Sequence, residues 1–433
     1  MTLPYLLYQM LGWLALPLAA PVVAVRAARD PRYRVGWGER LGAWGNVPSG
    51  AVWVHGASVG EMRAVAPLLA LLRDAGEPLM LSTTSPSGRD AAAALAGPGG
   101  AARLLPLDLA PLVRRVLQRC RPRALVVVET ELWPALLTET ARAGVPLLLV
   151  NGRISDRALP RYRRVRPWVR PLLGRFAAIH AQSEADAERF RQLGAAADRV
   201  VVVGNLKYDL PAPDPSAVPA TALRHARADG WRPLVAGSTH PGEEHAVAAA
   251  AATLRGNGHR VGLVVAPRHL ERVEDAAREV ASGGRPPVRW STLGDPREEG
   301  ILEAFRDGRA ILVDEYGVLG DLYGGADAAF VGGTLVAVGG HNLLEPLNWG
   351  VVTLFGPHTE NSREVRDAVV ERGVGFQIAD AAELATVVDR LWSQPDTAAT
   401  IARGTRRLFA ASRGGAARAL AELRSLGAVG SGG

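Results

Sequence analysis

The sequence predicts an α/β protein made of two domains, each built on a doubly wound parallel sheet. Short apolar runs typical of buried strands alternate with alanine-rich stretches of helix length. This alternation runs from residue 52 to residue 203 and starts again at residue 234. Between the two series, residues 209–220 hold four prolines, which a helix interior or a central strand does not tolerate. We therefore expect domains at 26–208 and 221–433, joined by a linker at 209–220.

The predicted strands are short, and segments of helix length separate them. The first series covers 52–55, 79–82, 124–128, 147–150, 179–183 and 200–203, and the second covers 234–237, 261–266, 311–313, 328–331 and 352–355. A last helical stretch, about 397–426, is long enough to return to the first domain. Two such domains facing each other across a cleft are typical of GT-B glycosyltransferases, of several epimerases and of two-domain binding proteins, so the fold alone does not decide the chemistry.

Composition indicates a globular protein and excludes some classes of site. The 433 residues are 48% hydrophobic and 21% charged, which is ordinary for a folded chain. The single cysteine, Cys120, excludes an internal disulfide framework and cysteine-rich metal sites. His240 and His245 lack the spacing of a zinc-binding helix, and no serine nucleophile motif is present. We expect a reaction that uses no metal and no cofactor.

The charge is +7, and one segment concentrates it. Between residues 151 and 180, eight arginines face a single acid, Asp156, which gives that segment +7 by itself. Tyr162 and Trp168 lie among these arginines. Such a stretch suits a nucleic acid, an anionic membrane surface or a phosphorylated substrate, and a solvated helix face with no partner is the plain alternative.

The amino terminus is predicted to anchor the protein to a membrane. Residues 3–25 carry no charge, and 23 residues of helix can span a hydrocarbon core of roughly 30 Å. No positive charge precedes this run, as a signal peptide would require, whereas five arginines follow it by residue 40. We therefore expect residues 1–25 to hold the catalytic domains at the cytoplasmic side. An interfacial helix is the near alternative.

The motif "VWVHGASVGE" at residues 52–61 delivers a carboxylate from a strand to the start of a helix. In open parallel sheets, ligands bind outside the carboxyl ends of the strands. Glu61 is therefore the first candidate for a catalytic group, and Ser58 and Gly60 are candidate substrate contacts. A structural helix cap is the alternative for Glu61.

Two turns of the second domain have the composition of a phosphate site. In "VAGSTHPGEE", we expect Gly237, Ser238 and Thr239 to present backbone N–H groups and hydroxyls at a helix N-terminus, with a plain N-cap about equally consistent. In "VVAPRH", Arg268 and His269 follow the next strand. An arginine at that point can bind a phosphate through two hydrogen bonds.

The stretch "FVGGTLVAVGGHNLLEP" at residues 330–346 indicates a nucleotide-sugar site. Gly339 and Gly340 allow close backbone approach, and Asn342 and Glu345 stand where a helix opens, so the carboxylate can bind a ribose. The dinucleotide fingerprint is absent. Tight turns at a sheet edge are the alternative.

Two further motifs carry charge after apolar runs. In "VVVETELWP", Glu129 and Glu131 follow a buried strand, where carboxylates are costly unless used or paired. In "GNLKYD", Lys207 is the only lysine of the chain, which suggests a need for a compact ammonium charge. An N-cap with a salt bridge is the plain explanation for the glutamates.

The ordered motifs resemble those of the 3-deoxy-D-manno-octulosonic acid (Kdo) transferases of lipopolysaccharide biosynthesis. The resemblance extends through "GWGERLG", "HGASVGE", "STTSPSG", "ETELWP", "NGRISDRA", "GNLKYD", "AGSTHPGEE", "APRH" and "GGHNLLEP". It implies an inverting, metal-independent GT-B enzyme that moves Kdo from CMP-Kdo to a lipid A precursor at the cytoplasmic face of the inner membrane. It implies no nucleic-acid partner.

The resemblance also implies roles for individual residues. The family's general base corresponds to Glu61, and its nucleotide-sugar contacts correspond to Ser238, Arg268, Gly340, Asn342 and Glu345. Glu131 is expected as a supporting catalytic group, and Lys207 as a substrate contact. The rivals are another membrane-associated GT-B transferase acting on a lipid-linked sugar, a nucleotide-sugar epimerase, and a non-catalytic protein that binds anionic membranes or nucleic acid.

Overall fold

A computed structural model describes residues 3–29, 34–282, 284–394 and 396–430. The chain forms two compact units, residues 1–209 with 411–433 and residues 210–410. Met1 and Thr2 of the predicted anchor, and residues 431–433, lie outside the described residues.

The first unit is built on a sheet of seven strands that pair in parallel, in the order β3-β2-β1-β4-β5-β6-β7. The strands are β1 (Val52–His55), β2 (Leu79–Thr83), β3 (Ala101–Leu104), β4 (Ala124–Val128), β5 (Leu147–Gly152), β6 (Ala178–Ala181) and β7 (Val200–Val202). The helices are α1 (Leu3–Arg29), α2 (Trp37–Arg40), α3 (Val59–Asp74), α4 (Pro86–Ala96), α5 (Ala110–Cys120), α6 (Pro134–Arg142), α7 (Leu159–Arg164), α8 (Arg166–Leu173) and α9 (Glu184–Leu193).

Both faces of this sheet are buried, as the continuous apolar runs of its central strands require. Successive residues of a strand point to opposite faces. Accordingly, Trp53 joins one hydrophobic core, whereas Val52 and Val54 join the other. Because β1, β4 and β5 pair in parallel, their carboxyl ends lie together at one end of the sheet.

The second unit repeats the design with the strand order β10-β11-β9-β8-β12-β13-β14, again parallel. Its strands are β8 (Arg232–Thr239), β9 (Val261–Pro267), β10 (Val288–Arg289), β11 (Ile311–Leu312), β12 (Ala328–Val331), β13 (Thr353–Phe355) and β14 (Gly375–Gln377). Its helices are α10 (Val218–Ala228), α11 (Glu243–Gly256), α12 (Val273–Ala281), α13 (Arg297–Arg306), α14 (Leu319–Leu322), α15 (Leu344–Asn348), α16 (Arg363–Glu371), α17 (Ala381–Trp392) and α18 (Thr397–Ser412).

Two helices differ from the sequence-based expectation. α10 begins at Val218, inside the proline-rich stretch, because a proline is tolerated in the first turn of a helix. The last helical stretch is broken at Gly414, whose φ of 93° is left-handed, and resumes as α19 (Gly415–Ser425). The Asp209 carboxylate accepts the N–H groups of Gly414 and Ala416 at 2.5 and 2.6 Å, which fixes the start of α19 in the first unit.

The predicted amino-terminal helix is present as α1. In the described part of the chain, no helix combines the length and the apolar character needed to cross a bilayer. Tyr5 and Gln9 are buried against the first unit, while Met10 and Leu14 are 53% and 59% exposed. The spanning form of the predicted anchor is therefore unsupported, and interfacial attachment stays a prediction.

Candidate active site

Glu61 lies in the first turn of α3, directly after the turn that leaves β1. Ser58 is the N-cap of this helix, and its Oγ accepts the Glu61 N–H at 3.2 Å. The carboxylate accepts the Ala57 N–H at 2.6 Å through Oε2 and the Ser58 hydroxyl at 3.1 Å through Oε1. The predicted strand-to-helix turn is thus present, and the carboxylate also serves as a helix cap. Gly60 is exposed beside it.

The surroundings of Glu61 favour its protonated form. Burial raises the pKa of Glu61 to about 7, and the nearby carboxylates of Glu131 and Glu129 act in the same direction. The hydrogen bonds from Ala57 and Ser58 oppose this shift. A carboxyl group with a pKa near neutrality is suited to general base or acid catalysis.

Glu131 lies near Glu61, and its pKa is shifted in the opposite direction. The Trp133 indole N–H donates to its Oε2 at 2.7 Å, and the Nε2 atom of buried His55 stands 3.8 Å from the same oxygen. Burial alone would raise the pKa of Glu131, but the proximity of His55 and the Trp133 hydrogen bond lower it overall. Two neighbouring carboxyl groups whose pKa values are pushed apart are typical of acid and base sites.

Several residues at the carboxyl ends of strands have strained backbone. Glu129 after β4, Asn151 in β5 and Ser238 in β8 have φ values of 58°, 55° and 56°, which non-glycine residues adopt rarely. Such strain clusters at functional sites. Two of these positions lie in the first unit and one in the second. Each unit therefore has strained backbone at the carboxyl ends of its strands.

Lys207 lies on a turn after β7, at the end of the first sheet where the carboxyl ends of the strands lie. The turn, Leu206–Tyr208, packs against α3, the helix that carries Glu61. Its backbone is held by the Leu206 N–H, which donates to Asn151 Oδ1 at 3.0 Å. The sequence-predicted residues Glu61, Glu131 and Lys207 therefore belong to one edge of one sheet.

In the second unit, the predicted phosphate turn is formed differently from the sequence expectation. β8 continues through Ser238 and Thr239, and α11 begins only at Glu243, so these residues do not form a helix N-terminus. The Thr239 hydroxyl is buried and donates to Glu244 at 3.0 Å. At Gly237 a side chain would overlap the Tyr323 hydroxyl, so the glycine is required by packing.

The turn after β12, at residues 333–335, binds a carboxylate that the sequence analysis did not single out. Buried Glu243 accepts the N–H groups of Gly333, Thr334 and Leu335 at 2.7, 3.0 and 2.9 Å, and that of His240 at 3.0 Å. Successive N–H groups of this kind form an anion-binding concavity. Because Glu243 fills it, this turn is held in place by the protein's own anion.

Five predicted donor residues lie on the turn that leads into α15, at residues 339–345, or beside it at Arg268. Glu345 lies in the first turn of α15, and its Oε1 accepts the Asn342 side-chain N–H at 3.2 Å. Burial raises the pKa of Glu345, and the neighbouring Asn342 and Arg268 counteract that rise. Gly340 has a φ of 81°, which favours glycine, and Arg268 is exposed after β9. Gly339, which precedes Gly340, has a φ of 98°.

A histidine pair at this turn was also missed. The rings of His240 and His341 stack with centroids 5.1 Å apart, and their Nε2 atoms lie 2.9 Å apart. The predicted contact His269 meets His240 edge to face at 5.8 Å. Among the described residues, no group of three or more histidine, cysteine or acidic side chains is arranged to hold a metal ion. Metal-independent chemistry stays a prediction.

Comparison with known proteins identifies the family of the chain. The family model described as 3-deoxy-D-manno-octulosonic-acid transferase (kdotransferase) matches residues 35–210. A 3-deoxy-D-manno-octulosonic acid transferase of Haemophilus influenzae is 31% identical over 418 residues, which cover 94% of this chain and 95% of that protein. The chain belongs to the Kdo transferase family. The sequence motifs that carry the resemblance are therefore those of true relatives.

Two further similarities concern length and fold. A bifunctional glycosyltransferase/methyltransferase of Fusobacterium nucleatum is 31% identical to this chain over 350 residues. The match covers 80% of this chain but only 53% of that longer protein. The crystal structure of the glycotransferase of kitacinnamycin superposes with a TM-score of 0.50 at 15% identity, covering 88% of this chain and all of that one. The two parallel-sheet domains thus resemble those of GT-B glycosyltransferases.

Proposed function

We propose that this protein is an inverting glycosyltransferase that moves Kdo from CMP-Kdo to a lipid A precursor, with Glu61 as the general base. The observation that carries the proposal is the half-buried Glu61 carboxyl group, whose pKa of about 7 suits proton abstraction, in a chain of this family. The strand-to-helix turn gives it a fixed direction through its bonds to Ala57 and Ser58.

The proposed step is a single displacement at the anomeric carbon of Kdo. A sugar hydroxyl of the acceptor attacks that carbon while Glu61 takes the hydroxyl proton. The bond between the anomeric carbon and the phosphate oxygen breaks, and its electron pair leaves with CMP. One displacement inverts the configuration, and a positioned base contributes roughly 10²- to 10⁴-fold to the rate.

The second unit would bind the nucleotide. Arg268 can offset the charge of the departing phosphate, because a guanidinium forms two parallel hydrogen bonds with phosphate oxygens. Glu345, which already accepts one hydrogen bond from Asn342, can accept others from the ribose hydroxyls. Ser238, near the end of β8, and Gly340, on the turn before α15, would contact the donor through backbone groups.

We further propose that the protein acts at the cytoplasmic face of the inner membrane. The outward side of α1 exposes large apolar residues (Leu3, Leu6, Met10, Leu11, Trp13, Leu14 and Leu18). Residues 151–180 form the basic segment, in which exposed arginines of α7 and α8 lie near exposed Val165 and Trp168 in sequence. Apolar side chains beside arginines favour binding to an anionic lipid interface.

The deciding experiment is to incubate the purified full chain with CMP-Kdo and a lipid A precursor and to measure product mass. We expect a mass increase of one or more Kdo units together with release of CMP. Release of CMP without a glycosylated product, or no reaction with this donor, would contradict the proposal. A parallel assay with other nucleotide sugars tests the rival that the enzyme is a different GT-B transferase.

A further inference from the structure

The helix α1 is fastened to the first unit by matched polar groups as well as by packing. The Tyr8 hydroxyl donates to Asp108 Oδ2 at 2.9 Å. Gln9, only 9% exposed, accepts the Ala110 N–H at 2.8 Å and donates to the Asp108 carbonyl at 3.4 Å. A helix that served only as a lipid attachment would not need such directed hydrogen bonds.

The same Asp108 carboxylate also caps α6. Its Oδ2 accepts the Ala135 N–H at 2.9 Å and its Oδ1 accepts the Leu136 N–H at 2.8 Å. One turn further along α6, the Tyr5 hydroxyl donates to buried Glu139 at 2.6 Å. Because free N–H groups at a helix start need an acceptor, Asp108 fixes where α6 begins.

The start of α6 is next to the proposed catalytic carboxylates. α6 begins at Pro134, and the preceding Trp133 holds Glu131 through its indole N–H at 2.7 Å. Glu131 in turn raises the pKa of Glu61. A short, hydrogen-bonded path therefore joins Tyr8 on α1 to the carboxylate beside the proposed base.

We infer that α1 is part of the catalytic machinery of the first unit, with Tyr8 and Gln9 as positioning residues that act through Asp108 on the Glu131 segment. The inference rests on the proposed function, because Glu61 and Glu131 matter only if the protein catalyses transfer. A lipid surface that fixes the outward side of α1 also fixes the start of α6, so membrane binding and the geometry around Glu131 are coupled.

The test uses Tyr8→Phe, which removes one hydroxyl and keeps the ring, with Tyr316→Phe as the matched control. Tyr316 is 72% exposed in the second unit. Turnover is measured with acceptor dispersed in detergent, so that attachment to a bilayer does not limit the rate. We expect kcat of Tyr8→Phe to fall about three- to tenfold with the KM for CMP-Kdo unchanged.

Two readouts separate positioning from general stability. Amide hydrogen exchange should become faster at Ala135 and Leu136 and stay unchanged elsewhere in the first unit. The acid limb of the rate–pH profile should move to lower pH, because a looser Glu131 repels a charged Glu61 less. The other groups that face Glu61, namely Glu129, Ser58 and the Ala57 N–H, remain in place in this variant.

Several outcomes would overturn the inference. Unchanged kcat would leave α1 as an attachment only, and a fall in kcat without faster exchange at Ala135 and Leu136 would remove the route through Asp108. Uniformly faster exchange would reduce Tyr8 to a general stabiliser of the unit. If the wild-type protein transfers no Kdo, the proposed function fails, and the exchange at the two amides by itself decides whether α1 holds α6.

Discussion

The Ala57 N–H donates to Glu61 Oε2 at 2.6 Å, and the Ala379 N–H donates to Glu383 Oε2 at 2.7 Å in the same relative position. Glu61 and Glu383 each lie three residues after an N-cap side chain that accepts their own N–H. The two glutamates are therefore equivalent as helix caps. Glu61 is half-buried with the carboxylates of Glu129 and Glu131 near it, whereas Glu383 is exposed, so the pair separates capping from catalysis.

Glu61→Gln should lower turnover by at least about 10²-fold, because an amide cannot take the hydroxyl proton. The glutamine oxygen still accepts the Ala57 N–H, so folding and CMP-Kdo affinity should be retained. The measurements are kcat and the donor Kd, with Glu383→Gln as the matched control. Near wild-type turnover of Glu61→Gln would make Glu61 a cap only and direct the search for the base to Glu131.

The rate should depend on pH through Glu61. Since a base acts in its deprotonated form, kcat/KM should fall as the pH drops below about 7, where burial places the pKa of Glu61. Ser58→Ala removes a hydrogen bond that lowers this pKa, so its acid limb should lie at higher pH than that of the wild type. An identical profile in both proteins would assign the limb to another group.

The sequence predicts the central strands and the edge strand β7, and it misses the other three edge strands. β1, β4 and β12 have the predicted bounds, because central strands of parallel sheets are continuous apolar runs. The missed strands β3, β10 and β14 lie at the ends of the two sheets. An edge strand is covered on fewer sides, so its sequence, such as "VR" in β10, carries little apolar signal.

The candidate site shows the same division between local and long-range information. Glu61 and the turn around Gly340 are predictable, because a strand, a glycine turn and a helix start follow one another in sequence. Glu243 could not be predicted, since its partners at Gly333–Leu335 are about ninety residues away. His240 and His341 are 101 residues apart, so their pairing also leaves no local pattern.

Arg268→Ala should weaken CMP binding by about tenfold or more, because a charged hydrogen bond contributes roughly 1.5 to 3 kcal/mol. Arg407→Ala, also exposed in the second unit on α18, is the control and should bind CMP like the wild type. Calorimetric titration with CMP measures both. Equal affinities would exclude Arg268 from the donor site.

Glu243→Gln should destabilise the second unit by roughly 2 to 4 kcal/mol, because the buried carboxylate accepts four backbone N–H groups and an amide presents one acceptor. Denaturant unfolding monitored by second-unit tryptophans such as buried Trp290 gives the free energy of unfolding. Glu298→Gln, in the first turn of α13, is a surface control. A change below about 0.5 kcal/mol for Glu243→Gln would show that the amide holds this turn as well as the carboxylate does.

The outward side of α1 should contribute to lipid binding. Leu11 and Leu14 are 58% and 59% exposed, and burying a leucine in an apolar phase is worth about 1.5 to 3 kcal/mol. Leu11→Ser with Leu14→Ser should therefore reduce binding to anionic lipid vesicles by at least about tenfold, measured by flotation, while Val370→Ser, at a 47% exposed position in the second unit, should not. Added salt should weaken the remaining binding, because arginines of the basic segment contribute through screened charge. If the double variant floats with vesicles as fully as the wild type, α1 does not contact lipid, and the arginines of α7 and α8 become the attachment to test.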